Sequence, residues 1–232
     1  MRADMRRTFF LMALFFIAMA FLESAVVVYL RALYYPQGFD FPLVPMDRTL
    51  VRTEVGREIA TVIMLLIPGA LVTPSRLERF AWFCFGFGIW DIFYYVWLKV
   101  LIDWPASFTT PDLLFLVPVP WVGPVWCPCI ISLGLIALAV VILSAREARP
   151  SGRLPVLGWC LLCSGALLMI ASFVLEPWRA IRGPAGSTIL FDAERSLALL
   201  HGFRPEVFPL GLFLAGVGLS GAGLLWTSVR MR

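Results

Sequence analysis

The sequence predicts an all-α integral membrane bundle of six transmembrane helices, and three observations carry that expectation. Apolar residues make up 60% of the chain, with a mean hydropathy of +0.88, above the roughly 45–50% apolar content of soluble domains. The excess falls into blocks of about 20 residues, the length that crosses a bilayer core at about 1.5 Å per residue. Short charged segments separate the blocks, and arginines gather at their ends. At 232 residues the chain has room for one such bundle, so residues 1–232 are read as a single transmembrane domain.

Helix 1 spans about 9–33, behind Arg2, Arg6 and Arg7. Ala18-Met19-Ala20 has the small residues of a signal-peptide cleavage site, but the apolar run continues through Val26–Leu30, beyond an ordinary signal core, so the helix is expected to be retained. Arg6-Arg7 followed by Thr8-Phe9-Phe10-Leu11 is similar to a twin-arginine export signal, which the five further spans argue against. After a loop with Pro36, Pro42 and Pro45 comes helix 2, about 55–72, then helix 3, about 80–102.

The next block, 113–144, is too long for one straight span. Pro118, Pro120, Pro124 and Pro128 crowd its first half, and each removes a backbone donor and strains the preceding turn. Residues 113–128 are therefore expected to be broken or re-entrant and 129–144 to be the fourth helix. Irregular backbone at membrane depth survives against protein or water rather than lipid, so this segment should face inward.

Helix 5 covers about 154–175 and helix 6 about 207–228. In the long loop between them Ile189, Leu190, Ala193, Leu197 and Leu200 share one helical face, which predicts a helix of about 187–201 on the membrane surface. No internal repeat relates the two halves, so an inverted-repeat transporter is not indicated.

Basic residues set the orientation. All but Lys99 of the basic side chains are arginine. With the N-terminus cytoplasmic, the N-terminal, 73–79, 145–153 and C-terminal segments hold the densest arginine, and 103–112 holds none. This places both termini in the cytoplasm. Arginine at block ends is membrane orientation rather than the clustered basic face of a nucleic-acid binder, and no nucleic-acid partner is expected. The lipid bilayer is the partner the composition requires.

Chemistry is expected where charge sits in the apolar blocks. A charged group at mid-membrane costs roughly 2.5–3.5 kcal/mol on insertion scales. Asp91 lies near the middle of helix 3 and Glu23 in the outer half of helix 1, while Glu58 opens helix 2. Asp91, Tyr95 and Lys99 follow at i, i+4 and i+8 on one helical face. Together these five define a polar site in the non-cytoplasmic half. Asp91 and Glu23 act as interior acceptors, Tyr95 is a donor within reach of Asp91, and Glu58 and Lys99 form the mouth. Plainer roles stand beside these: Lys99 snorkelling to the headgroups, and Glu58 complementing a helix N-terminus. A retinal-type Schiff base on Lys99 is disfavoured by its nearness to the surface.

Other motifs carry less. Cys127/Cys129 and Cys160/Cys163 fall on opposite halves of the membrane, so they do not form one four-thiolate site. With His201 as the one histidine, zinc lacks its usual ligands, and no metal or cofactor is expected. Gly216-Val217-Gly218-Leu219-Ser220-Gly221 matches a dinucleotide fingerprint by letter but has no strand before it. Gly211, Ala215, Gly218 and Ala222 instead offer small-residue spacing for helix packing. Most tryptophans lie near block ends, as an interfacial belt does. Trp90 and Trp97, beside Asp91, are placed to line a cavity.

The stretch Trp90-Asp91-Ile92-Phe93-Tyr94-Tyr95-Val96-Trp97-Leu98-Lys99, with Asp112-Leu113-Leu114-Phe115-Leu116-Val117-Pro118-Val119-Pro120-Trp121-Val122-Gly123-Pro124, resembles a group of polytopic bacterial inner-membrane proteins of no known activity. The resemblance covers about the middle quarter of the chain. It implies a multi-pass protein of the bacterial cytoplasmic membrane and carries no residue roles. Three functions are compatible with these features. The leading one is binding or transport of a small polar molecule, ion or proton through an outward-facing site. The others are a structural or accessory subunit of a membrane complex, and an intramembrane enzyme acting on a lipid or isoprenoid-like substrate with paired carboxylates as acid and base.

Overall fold

Each of the six apolar blocks forms a helix, and each helix is long and apolar enough to cross a membrane. The structure, a computed structural model, describes residues 3–117, 119–181, 196–198 and 202–231. The helices are α1 (Ala3–Tyr34), α2 (Arg48–Val72), α3 (Arg76–Ile102), α4 (Trp126–Ala148), α5 (Val156–Ile181) and α6 (Leu210–Met231). Several run past the apolar core that announces them. The start of α2 at Arg48 rather than 55 has a clear cause: the Asp47 carboxylate caps it, accepting the Thr49 N–H at 2.7 Å.

Between α3 and α4 the chain forms an antiparallel hairpin of β1 (Pro111–Phe115) and β2 (Trp121–Pro124), with Asp112 opposite Gly123, Leu113 opposite Val122, and an irregular register between Leu113 and Phe115. The prolines predict broken or re-entrant backbone over 113–128; two short strands form there instead. Pro111 and Pro124 face one another at the open end of the ladder, where a missing N–H costs little. Helix α4 then begins at Trp126, with Pro128 in its first turn, where the N–H has no helical partner to lose. Pro118, His201 and most of the expected surface helix 187–201 lie outside the described residues; 196–198 form a helical turn.

Helix α3 is the axis of the bundle, packing on α1, α2 and α4, while α5 packs on α6 and α6 on α4. The α1–α3 seam is aromatic at the end where the chain begins, with Phe9 against Trp82 and Phe85. Nearer the hairpin it turns polar. The Trp97 indole donates to the Ile17 carbonyl and the Ser24 hydroxyl to the Tyr94 carbonyl, each at 3.1 Å. Far from the hairpin, Arg146 on α4 binds Glu78 on α3 at 3.0 Å.

The α5–α6 seam is backbone on backbone. A Cβ on Gly216 would stand 2.7 Å from the Gly165 carbonyl oxygen, and one on Gly165 would stand 2.6 Å from the Gly216 oxygen. The packing stripe on α6 is thus Gly216–Ser220–Gly223. The stripe expected from sequence, Gly211–Ala215–Gly218–Ala222, lies on the outer face, with open space around Gly211 and Gly218. Outer faces are otherwise large and apolar, as with Leu71, 80% exposed, and Val229, 71% exposed, as expected where lipid is the solvent.

Candidate functional site

At the hairpin end of the bundle a cavity of about 1260 Å³ opens between α2, α3, the hairpin and α5. Its charged walls come mainly from two helix faces. On α2, Glu54, Arg57, Glu58 and Thr61 stand at i, i+3, i+4 and i+7, which stacks them along one side. On α3, Asp91, Tyr94 and Tyr95 do the same. Strand β1 adds Asp112 and α1 adds Arg31.

Asp91 is buried on the α3–α4 seam. Its Oδ2 accepts the Ser132 hydroxyl of α4 at 2.7 Å, and it lines the cavity. Gly88, one turn away, sets this geometry. A Cβ there would come within 2.6 Å of the Ser132 carbonyl oxygen, so only a bare α-carbon lets α4 approach closely enough for the bond. Glu58, also buried and lining the cavity, accepts the Leu116 N–H at 2.8 Å and so ties α2 to the end of β1.

Glu23 sits behind the wall rather than in it. The Arg57 guanidinium and the Thr61 hydroxyl both donate to its carboxylate, and Arg57 also pairs with Glu54. Both of these donors line the cavity. Glu23 therefore positions them, although it is itself only 4% exposed.

Tyr95 departs from the pairing expected of it. Its hydroxyl donates to Asp112 Oδ2 at 3.1 Å and not to Asp91. Asp112 Oδ1 in turn takes Arg31 at 3.5 Å. The Arg31 guanidinium lies 3.7 Å from the centre of the Trp104 ring and 4.5 Å from that of Phe39, a cation–π sandwich that compensates for scarce hydrogen-bond partners. Burial pushes the Asp112 carboxyl up to about 6, against the opposing pull of Arg31 and of the Tyr95 hydrogen bond.

Lys99 does not join the site. It is exposed and pairs at 2.6 Å with Asp103, the residue that closes α3. The Lys99 hydrogen bond and charge hold that fully exposed Asp103 carboxyl below the usual range. The cation expected at the mouth is replaced by Arg31 and Arg57. All five cysteines are unbridged, and Cys160 and Cys163 are exposed on α5.

Arg31, Arg57, Asp112 and Ser132 were not singled out from sequence. The α2 face was legible, since Arg57 and Thr61 share the helical side of Glu58. Asp112 carried no signal, because only the returning hairpin brings it to Tyr95. Searches with the chain match no protein-family model, no curated protein and no solved structure.

Proposed function

We propose that this is a membrane-embedded binding or transport protein whose chamber at the hairpin end takes a small polar molecule, an ion or a proton. One observation carries the reading: two buried carboxyl side chains from different helices, Asp91 and Glu58, line one cavity, and the described hydrogen bonds engage only one oxygen of Asp91. Carboxyls this deep among apolar helices are costly unless they serve a partner or a proton. In this reading Asp91 and Glu58 accept from the ligand. Arg57 and Thr61, steadied by Glu23, shape the wall, and the Arg31–Asp112–Tyr95 cluster holds the hairpin over the opening. The arginine distribution supports a non-cytoplasmic hairpin end, with the chamber facing outward. The resemblance noted above favours the bacterial cytoplasmic membrane.

The test is Asp91→Asn in cells and in reconstituted vesicles. Uptake or efflux of the ligand should be lost at unchanged protein level and unchanged melting temperature. Full activity in that variant would remove Asp91 from the mechanism. A second reading, an intramembrane enzyme on a lipid or isoprenoid-like substrate, is favoured by the apolar part of the lining, which includes Phe83, Phe87 and Met169. Mass spectrometry of lipids from a deletion strain separates the two: an altered lipid species points to the enzyme.

A further inference from the structure

The chamber is divided along its length. Its charged lining groups all lie toward the hairpin. From Asp91 away from it, the α3 lining is Trp90, Phe87 and Phe83, a stretch of about 12 Å at helical rise. The facing wall on α5 is Ala166, Met169, Ile170 and Phe173, and α4 adds Ile131 and Leu135. None of these six bears a charge or a side-chain hydrogen-bonding group. The total volume, about 1260 Å³, exceeds the roughly 300–1,000 Å³ of ordinary small-molecule pockets. A lone ion or proton leaves most of it unused.

The chamber also has a side toward the bilayer. Among the described residues α2 packs on α3 and α5 on α6, and α2 and α5 flank the cavity without close packing between them. Ala166 and Ile170 are exposed although they line the cavity. Helices α3 and α5 meet farther from the hairpin, where the Phe80 and Trp159 rings touch at a tilt of 46° with centroids 5.1 Å apart.

Charge selects the head group. The arginines lining the polar end are Arg31, Arg57 and, exposed at its rim, Arg48; Arg57 is committed to Glu23 and Glu54 and Arg31 to Asp112. Among the described residues neither Asp91 nor Glu58 forms a salt bridge, although the Arg57 charge acts on Glu58. An anionic head would meet two further carboxyls with no uncommitted buried arginine to hold it. A head that donates hydrogen bonds or carries positive charge meets acceptors.

We infer that the occupant is a long-chain amphiphile drawn from the bilayer between α2 and α5, with an amine or hydroxyl head on Asp91 and Glu58 and its chain beside Phe83, Phe87, Met169 and Ile170. This rests on the binding site proposed above, replaces its small polar ligand with an amphiphile, and adds the chain, the head group and the route.

The experiment uses the full chain in lipid nanodiscs and three diazirine-tagged probes: a long-chain alkylamine, a short-chain alkylamine, and a fatty acid as long as the first. Labelled residues are mapped by mass spectrometry. The long-chain amine should label 83–90 of α3 or 166–173 of α5. Each buried methylene should raise its affinity over the short amine by about fourfold. Asp91→Asn should cut labelling by both amines about tenfold or more, the loss expected of an unpaired polar contact. Ala166→Trp, which projects into open chamber rather than core, should cut long-chain labelling alone, with an unchanged melting temperature. If Ala166→Trp leaves long-chain labelling intact while Asp91→Asn abolishes it, the chain and route are overturned and the polar site stands. If neither variant changes labelling, the binding reading falls as well. Equal labelling by the fatty acid overturns the head-group assignment.

Discussion

Arg57, with Thr61, joins two helices that both pack on a third. Helices α1 and α2 both pack on α3, and Arg57 bridges them by pairing with Glu23 on α1 and Glu54 on its own helix. Replacing Arg57 by Met keeps much of the stem and removes the charge. Glu23, whose side chain is 4% exposed, is then left with Thr61 as its donor. Removing one partner of a buried pair costs about 3–5 kcal/mol, because the other charge stays buried without compensation. The Arg57 side chain is 23% exposed, so water softens the loss and the lower end, about 3 kcal/mol, is expected. Adding Glu23→Gln removes the more deeply buried of the two carboxylates that Arg57→Met leaves without their cation, Glu54 being the other. The double variant should therefore be more stable than Arg57→Met alone, with a coupling of about 1–3 kcal/mol. The assay is unfolding of the purified chain in mixed micelles, titrated with denaturing detergent, for wild type, both single variants and the double. A cost for Arg57→Met below about 1 kcal/mol, the range of exposed pairs, or a double variant at the sum of the singles, would refute the argument that this bridge acts as a buried ion pair.

Three further outcomes can be checked with the same preparations. Gly216→Leu should destabilise by at least about 1–3 kcal/mol through overpacking of the α5–α6 seam, whereas Gly218→Leu on the outer face should stay within about 0.5 kcal/mol; equal melting temperatures would contradict the assigned face. Asp112, whose folded carboxyl titrates at about 6 against an ordinary 3.8, holds more protons folded than unfolded between those values. Its contribution to stability should therefore fall as pH rises from about 4 to 6 and level off above, and Asp112→Asn should flatten that part of the melting-temperature profile. Lys99→Ala should cost no more than about 1 kcal/mol, as exposed pairs do, and leave ligand binding unchanged; a binding defect would return Lys99 to the site.

What was legible in the sequence follows from what is costly in a membrane. The six apolar blocks announce the helices, and Asp91 stands out because a carboxylate mid-block needs a reason. Arg31 hides because an arginine at the end of an apolar run reads as an anchor, although here it is 8% exposed and stacked on Trp104. Asp112 hides because it lies in a five-residue strand that opens on a proline, too short for a periodicity to develop. Tyr95 was tied to Asp91 by helical spacing alone. The hairpin supplies a second carboxylate from outside the helix, and the hydroxyl goes there. On α6 two faces carry small residues at similar spacing, so the sequence does not choose between them. The Gly165 backbone does.

The bare-backbone contact of α5 with α6 has a mechanical consequence. Two helices locked at Gly165 and Gly216 make one stiff leaf, joined to the remaining bundle where α6 meets α4 and where α5 rests its Phe173 ring on Trp121 of β2. The described partners of Glu23, Glu58, Asp91 and Asp112 all sit on α1 through α4 or the hairpin. A swing of that leaf would widen or narrow the gap beside α2 without breaking one of those bonds. The polar machinery and the wall that could gate it are built from different halves of the chain.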